Sequence, residues 1–205
     1  YYYDHLETIV LDLATVAKGI KDIRGMAAAL SDVLFRMHGY SGDTENYENI
    51  QNANLIRVID RRKGLPVALG ILLIHMARAQ NWGITGVNFP GHFLLRLICE
   101  GEQQIIDPFR NAMRTTANNL HDLLTRMQGP GARLRPHYLK SMCDRDILVR
   151  LQNNVKLRAL EANKADKALN ALESICLIAP DNVGAISELA VLESECGNLK
   201  QALNR

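Results

Sequence analysis

Apolar positions recur at spacings of three and four through the first third of the chain. Over residues 4–18, Leu6, Ile9, Val10, Leu13 and Val16 share one face, which predicts an amphipathic helix. Residues 22–38 repeat the pattern with Ile23, Met26, Leu30, Val33, Leu34 and Met37, and the run from His38 to Asp43 stops it. A third helix is expected over 52–61, with Leu55, Val58 and Ile59 inward. Gly64-Leu65-Pro66 breaks the chain and starts a fourth helix, because proline fits a first turn. That helix runs to about Gln80 and is apolar nearly all round up to Met76, so it belongs in the middle of a core.

After Trp82-Gly83 the period shortens. Phe93, Leu95 and Leu97 alternate with Leu94, Arg96 and Ile98. Runs at 84–89, 93–98 and 103–107, separated by Gly91 and by Gly101-Glu102, predict a small antiparallel sheet of three strands. A helix over 117–127 and the loop Gly129-Pro130-Gly131 follow. From about Arg145 onward the pattern is helical again and repeats itself. Residues 163–170 (NKADKALN) align with 197–204 (GNLKQALN) at an offset of 34, which also pairs Val149 with Val183 and Leu157 with Val191. A 34-residue helix–turn–helix period, with Ala-Leu in the second helix and Pro180 at the junction, is the tetratricopeptide signature. The expected class is therefore α+β: a helical lead-in, a core with a small sheet over 1–140, and tetratricopeptide-type repeats over 141–205. The chain opens at Tyr1 without a methionine and ends within the second repeat, so a fragment is expected.

Composition narrows the function. The net charge is +2 over 205 residues and the aromatics are few, which argues against a nucleic-acid partner. No apolar run approaches the ~20 residues of a membrane span. Cys99, Cys143, Cys176 and Cys196 are dispersed, without paired spacing, as in a reduced cytoplasmic protein. No metal site or cofactor is expected, since His92, Asp107 and the outlying His75 are too few ligands.

The order of a core helix, a strand opening on Pro90-Gly91-His92-Phe93 and a strand ending in Asp107-Pro108 is that of papain-like Cys-His-Asp enzymes. A nucleophile at the helix N-terminus gains from the dipole, a histidine takes its proton, and the aspartate fixes the imidazole. Residues 40–110 resemble the transglutaminase-like core. More narrowly, the chain resembles the bacterial SirB family, in which such a domain precedes tetratricopeptide repeats. The matching residues are Tyr47, Asn52-Ala53-Asn54-Leu55, Val58, Arg61 or Arg62, and Gly64-Leu65-Pro66. After them come Gly86-Val87-Asn88-Phe89-Pro90-Gly91-His92-Phe93-Leu94 and Ile106-Asp107-Pro108-Phe109. The resemblance implies that His92 and Asp107 occupy the catalytic histidine and aspartate positions. It also implies a nucleophile about fifteen residues before Gly83, where Ala68 stands between Val67 and Leu69. No Ser, Thr or Cys occurs between Asp60 and Gly83. Cys99 lies seven residues along the strand from His92, roughly 23 Å at ~3.3 Å per residue.

The triad is thus expected to be vestigial, at Ala68, His92 and Asp107, with a pocket formed by Asn54, Asn88, Gly91, His92 and Asp107. Ala68→Cys would then set a thiol beside His92. His75 is expected as a core or edge residue, and His5, His38, His121 and His137 as surface residues. The basic run Arg57, Arg61, Arg62 and Lys63 is expected as a solvated helix end. The first functional expectation is a non-catalytic module with a protein or peptide partner, carrying a regulatory association implied by the resemblance. The alternatives are an amidohydrolase or acyl-transfer enzyme with another nucleophile, or a His92–Asp107 general base acting on water.

Overall fold

The computed structural model describes residues 1–198. The lead-in is α1 (Tyr2–Val16) and α2 (Ile23–Ser31), the latter continuing into a wider π-helical turn over Asp32–Met37. The Asp22 carboxylate caps α2 by accepting from the N–H groups of Arg24 and Gly25. Short strands β1 (Ser41–Gly42) and β2 (Lys63–Gly64) pair in parallel on either side of α3 (Leu55–Arg61). Asn54 caps α3, and Arg62 ends it in the left-handed conformation.

The fourth helix, α4 (Pro66–Ala79), is buried on nearly every side, as its continuous apolar run requires. The sheet beside it contains the three expected strands, β3 (Gly83–Phe89), β4 (His92–Cys99) and β5 (Glu102–Asp107). Two-residue strands β6 (Met113–Arg114) and β7 (Ser141–Met142) extend it to the order β6-β5-β4-β3-β7, antiparallel throughout. Two-residue edges carry too little apolar pattern to be legible beforehand.

The pleat divides the sheet's side chains between two cores. Ile84, Phe93, Leu95, Leu97 and Ile106 join the large core with α4, α2 and α1. Val87, Phe89, Leu94 and Ile105 join a smaller one on the other face, closed by Leu120 and Leu124 of α5 (Ala117–Gln128). This division positions the site.

The C-terminal helices are α6 (Asp144–Glu161), α7 (Ala165–Ile178) and α8 (Val183–Glu195), joined by short turns. α7 packs on both neighbours, and Leu172, Ile175 and Leu189 are buried between them. Within the repeated segment, 163–170 is helical from Ala165; its counterpart over 199–204 lies outside the described residues. The division expected at 140/141 does not coincide with a break in packing. β7 completes the sheet, and Ile147 and Leu151 of α6 belong to the large core. Arg78 of α4 also grips Asp144 with two hydrogen bonds of 2.7 Å. No helix among the described residues is long and apolar enough to cross a membrane.

Candidate functional site

β3 and β4 are joined by the two-residue turn Pro90-Gly91, with Phe89 and His92 directly opposite each other. Gly91 has φ +64, which is what calls for glycine. A Cβ on it would fall 2.2 Å from the Met127 methyl group, the end of an exposed, flexible side chain that can shift aside. Leu95 opposes Ile106, which places Asp107 beside Leu94 on the neighbouring strand.

The structure brings His92 and Asp107 together. The Nε2 of His92 lies 3.0 Å from Oδ2 of Asp107. An ionised carboxylate only accepts, so the imidazole proton sits on Nε2 and fixes the ring. The other oxygen, Oδ1, accepts from the Phe109 N–H at 2.9 Å and caps the turn Pro108–Arg110. Arg110 Nε is 3.9 Å from Oδ2. The His92 side chain is 19% exposed and that of Asp107 3%, so solvent reaches the ring but hardly the carboxylate.

Ala68 is not part of this arrangement, and here the expected geometry is corrected. His92 and Asp107 alternate with Phe93 and Ile106, which face the large core; they therefore project from the opposite face, toward α5. Ala68 is wholly buried in the large core, on the far side of the sheet. The helix turns it further away. Gly70 is the α4 residue that meets the sheet: a Cβ there would stand 2.5 Å from the Phe93 ring and 3.5 Å from Pro108. At ~100° per residue, Ala68 points about 200° from that direction. The Phe93 ring fills the space between α4 and β4.

The expected pocket is likewise divided. Gly91, His92 and Asp107 stand together, whereas Asn54 is the exposed cap of α3. Asn88 lies on the α4 face with Phe93, and its Oδ1 accepts from Arg150 Nη1 at 3.0 Å. Cys99 sits at the opposite end of β4 from His92, with its thiol on the Lys21 carbonyl. Cys143, Cys176 and Cys196 belong to the C-terminal helices or their caps.

Other polar residues expected at the surface turn inward. His5 is buried against the Tyr40 hydroxyl (2.8 Å) and the Arg62 guanidinium. Burial first, then the charge of Arg62 and nearby His38, lowers its pKa to about 4. His38 bonds Asp12 at 2.8 Å, whereas His75 is exposed. Arg61 bonds Asp43 and Asn52, both buried, each at 2.9 Å. Burial would raise the Asp43 carboxyl, but the Asn46 N–H and Arg61 outweigh it and hold it below the usual range. The basic run at 57–63 is therefore partly a set of internal ties.

Sequence reasoning missed Arg150 and Arg158, both on α6. Arg158 is buried, bonds the Tyr47 carbonyl and pairs with Glu48 at 3.3 Å. Arg150 stacks 5.7 Å from the Phe93 ring centre. Their spacing of eight marks one helix face, but nothing local says what that face covers.

Comparison with known proteins agrees with this architecture. The family model described as the transglutaminase-like superfamily matches residues 1–153, which includes the first half of α6. A "UPF0162 protein" of Xylella fastidiosa is 30% identical over 180 residues, covering 86% of this chain and 64% of the relative. One from Vibrio cholerae is 31% identical over 163 residues, covering 79% and 60%. A mouse "F-box only protein 21" is 35% identical over 75 residues, 37% of this chain and 12% of that protein. The chain thus spans less than two thirds of the length of these bacterial relatives. No solved structure matches it significantly. The chain belongs to the transglutaminase-like superfamily.

Proposed function

We propose that this chain is a non-catalytic transglutaminase-like module that binds a protein or peptide partner. One observation carries the reading: the residue at the expected nucleophile position, Ala68, is a buried methyl group on the far side of the sheet from His92. A methyl group cannot attack a carbonyl. His92 and Asp107 then tie β4 to β5 and hold the turn after β5. The succession of α6, α7 and α8, in which α6 and α8 end 34 residues apart, supports a tetratricopeptide-type array, whose stacked helices present an extended concave surface. The regulatory role implied by the resemblance to the SirB family fits a binding module, and four dispersed thiols fit a reducing cytoplasm.

The test is reaction with electrophilic amide and ester probes, read by mass spectrometry on the unmodified chain and on His92→Ala. The expected result is no labelling that depends on His92. Labelling abolished by His92→Ala overturns the proposal.

A second reading rests on the fixed imidazole. With Nε2 bonded to Asp107, Nδ1 remains free to take a proton from water. Hydrolysis of an activated ester that is lost in both His92→Ala and Asp107→Asn would favour it.

A further inference from the structure

The groove between β7 and α6, about 640 Å³, has an unusual charge at its floor. Arg150 is half-buried, and no carboxylate lies within 4 Å of it among the described residues. Its guanidinium donates once, from Nη1 to Asn88, and stacks on Phe93. The other donors of the fork have no protein acceptor. A guanidinium withdrawn from water without a counter-charge is costly, and burial lowers the Arg150 pKa accordingly. Arg61 and Arg158 each face a carboxylate, Asp43 and Glu48. Half-buried Arg62 and Arg96 also lack one but donate to at least two protein acceptors each, whereas Arg150 donates to one.

The lining fits one kind of ligand. Asp146 stands one turn before Arg150, but its carboxylate accepts from the Cys143 N–H, closing the α6 cap. Asn153 stands three residues after Arg150, on the same side of the helix, and its amide has no protein partner among the described residues. A side-chain amide donates and accepts as a peptide bond does. Lys140 lines the outer wall. Arg150 and Lys140 against Asp146 leave one net positive charge, which suits a carboxylate better than a doubly charged phosphate. The planar fork of arginine matches a carboxylate bidentately.

We propose that Arg150 anchors a carboxylate of an acidic peptide segment lying in this groove, with Asn153 bonding the peptide backbone beside it. This names the partner class for the binding module and rests on that reading.

The experiment titrates the 205-residue chain with acetylated, amidated Ala-Ala-Glu-Ala-Ala and with its Gln and phosphoserine counterparts. It follows the Arg150 Nε–Hε and Asn153 amide signals by nuclear magnetic resonance. The Glu peptide moves both signals and the Gln peptide does not. In Arg150→Gln the affinity read at Asn153 falls at least about tenfold, the loss of a charge-assisted bond. Arg150→Lys, which keeps the charge and loses the fork, falls in between. No response to the Glu peptide, or an equal response to the Gln peptide, overturns the proposal. A stronger response to the phosphoserine peptide overturns it in favour of a phosphate site. Should Arg150→Gln fail to fold, the Glu-against-Gln comparison on the unmodified chain decides. None of these arms uses His92, so His92-dependent labelling would sink the module reading independently of this result.

Discussion

His5 illustrates how a single burial changes a residue's chemistry. A guanidinium only donates, so the nitrogen that meets Arg62 is the bare one of a neutral imidazole. The folded pKa is about 4, against roughly 6.5 in an unfolded chain. Between those values the unfolded state binds the extra proton. Stability is therefore full above about pH 6.5 and falls as the pH drops toward 4. Urea melts across that window should show the fall, and His5→Gln, which keeps an acceptor without titrating there, should flatten it. Gly91 makes the opposite kind of demand. Gly91→Ala imposes a strained φ, while the exposed Met127 side chain can shift aside, and should cost about 1–3 kcal/mol in a urea melt. Asp107→Ala removes two acceptor contacts and orphans the Phe109 N–H, for about 2 kcal/mol.

Helix α4 shows what orientation adds to placement. Its apolar run puts it in the core, but its rotation is set by contact with Phe93, which admits Gly70 and nothing larger. Ala68→Cys should consequently give a thiol that is buried and slow to react with iodoacetamide, at a rate unchanged by His92→Ala. A fast thiol sensitive to His92 would mean that α4 is rotated from the position described. α6 behaves as part of the core as well as the first of the C-terminal helices. Ile147→Ala or Leu151→Ala should each cost about 2–5 kcal/mol in global stability, because each leaves a cavity in the large core. Arg78→Ala, which removes an exposed ion pair with the same helix, should cost less than about 1 kcal/mol.

Taken as a unit, the protein is a sheet with a different layer on each face. The face toward α4, where this superfamily resemblance would assemble a triad, is packed solid by Phe93. The face toward α5 holds the polar pair. Because α6 seals the large core, a chain cut after residue 140 should fail to unfold cooperatively, whereas a cut after 162 should preserve a cooperative transition measured by calorimetry. The match of the family model to residues 1–153 fits that placement. It also means that the matched domain and the C-terminal helices share α6, so a partner held on α6 would sit against the sheet.

Much was legible from local pattern. The core helix, the three main strands and α5 follow from apolar period, because burial imposes period 3.6 on a helix and period 2 on a strand. Pro90-Gly91-His92 and Asp107-Pro108 marked the polar pair through the order of a strand opening on histidine and a strand ending in aspartate, and through the family resemblance those residues carry. The period of a strand says that neighbours alternate, but not which layer covers which face. The sign of that alternation separated His92 from Ala68, and it was set by packing at a distance: Phe93 on Gly70, and Leu94 under α5. The same holds for His5, Arg61, Arg150 and Arg158. Asn52 is nine residues from Arg61 and the other partners named lie 18 to 111 residues away along the chain, so no local signal could distinguish an internal tie from a solvated charge. Local chemistry chose the elements; long-range packing chose which residues meet.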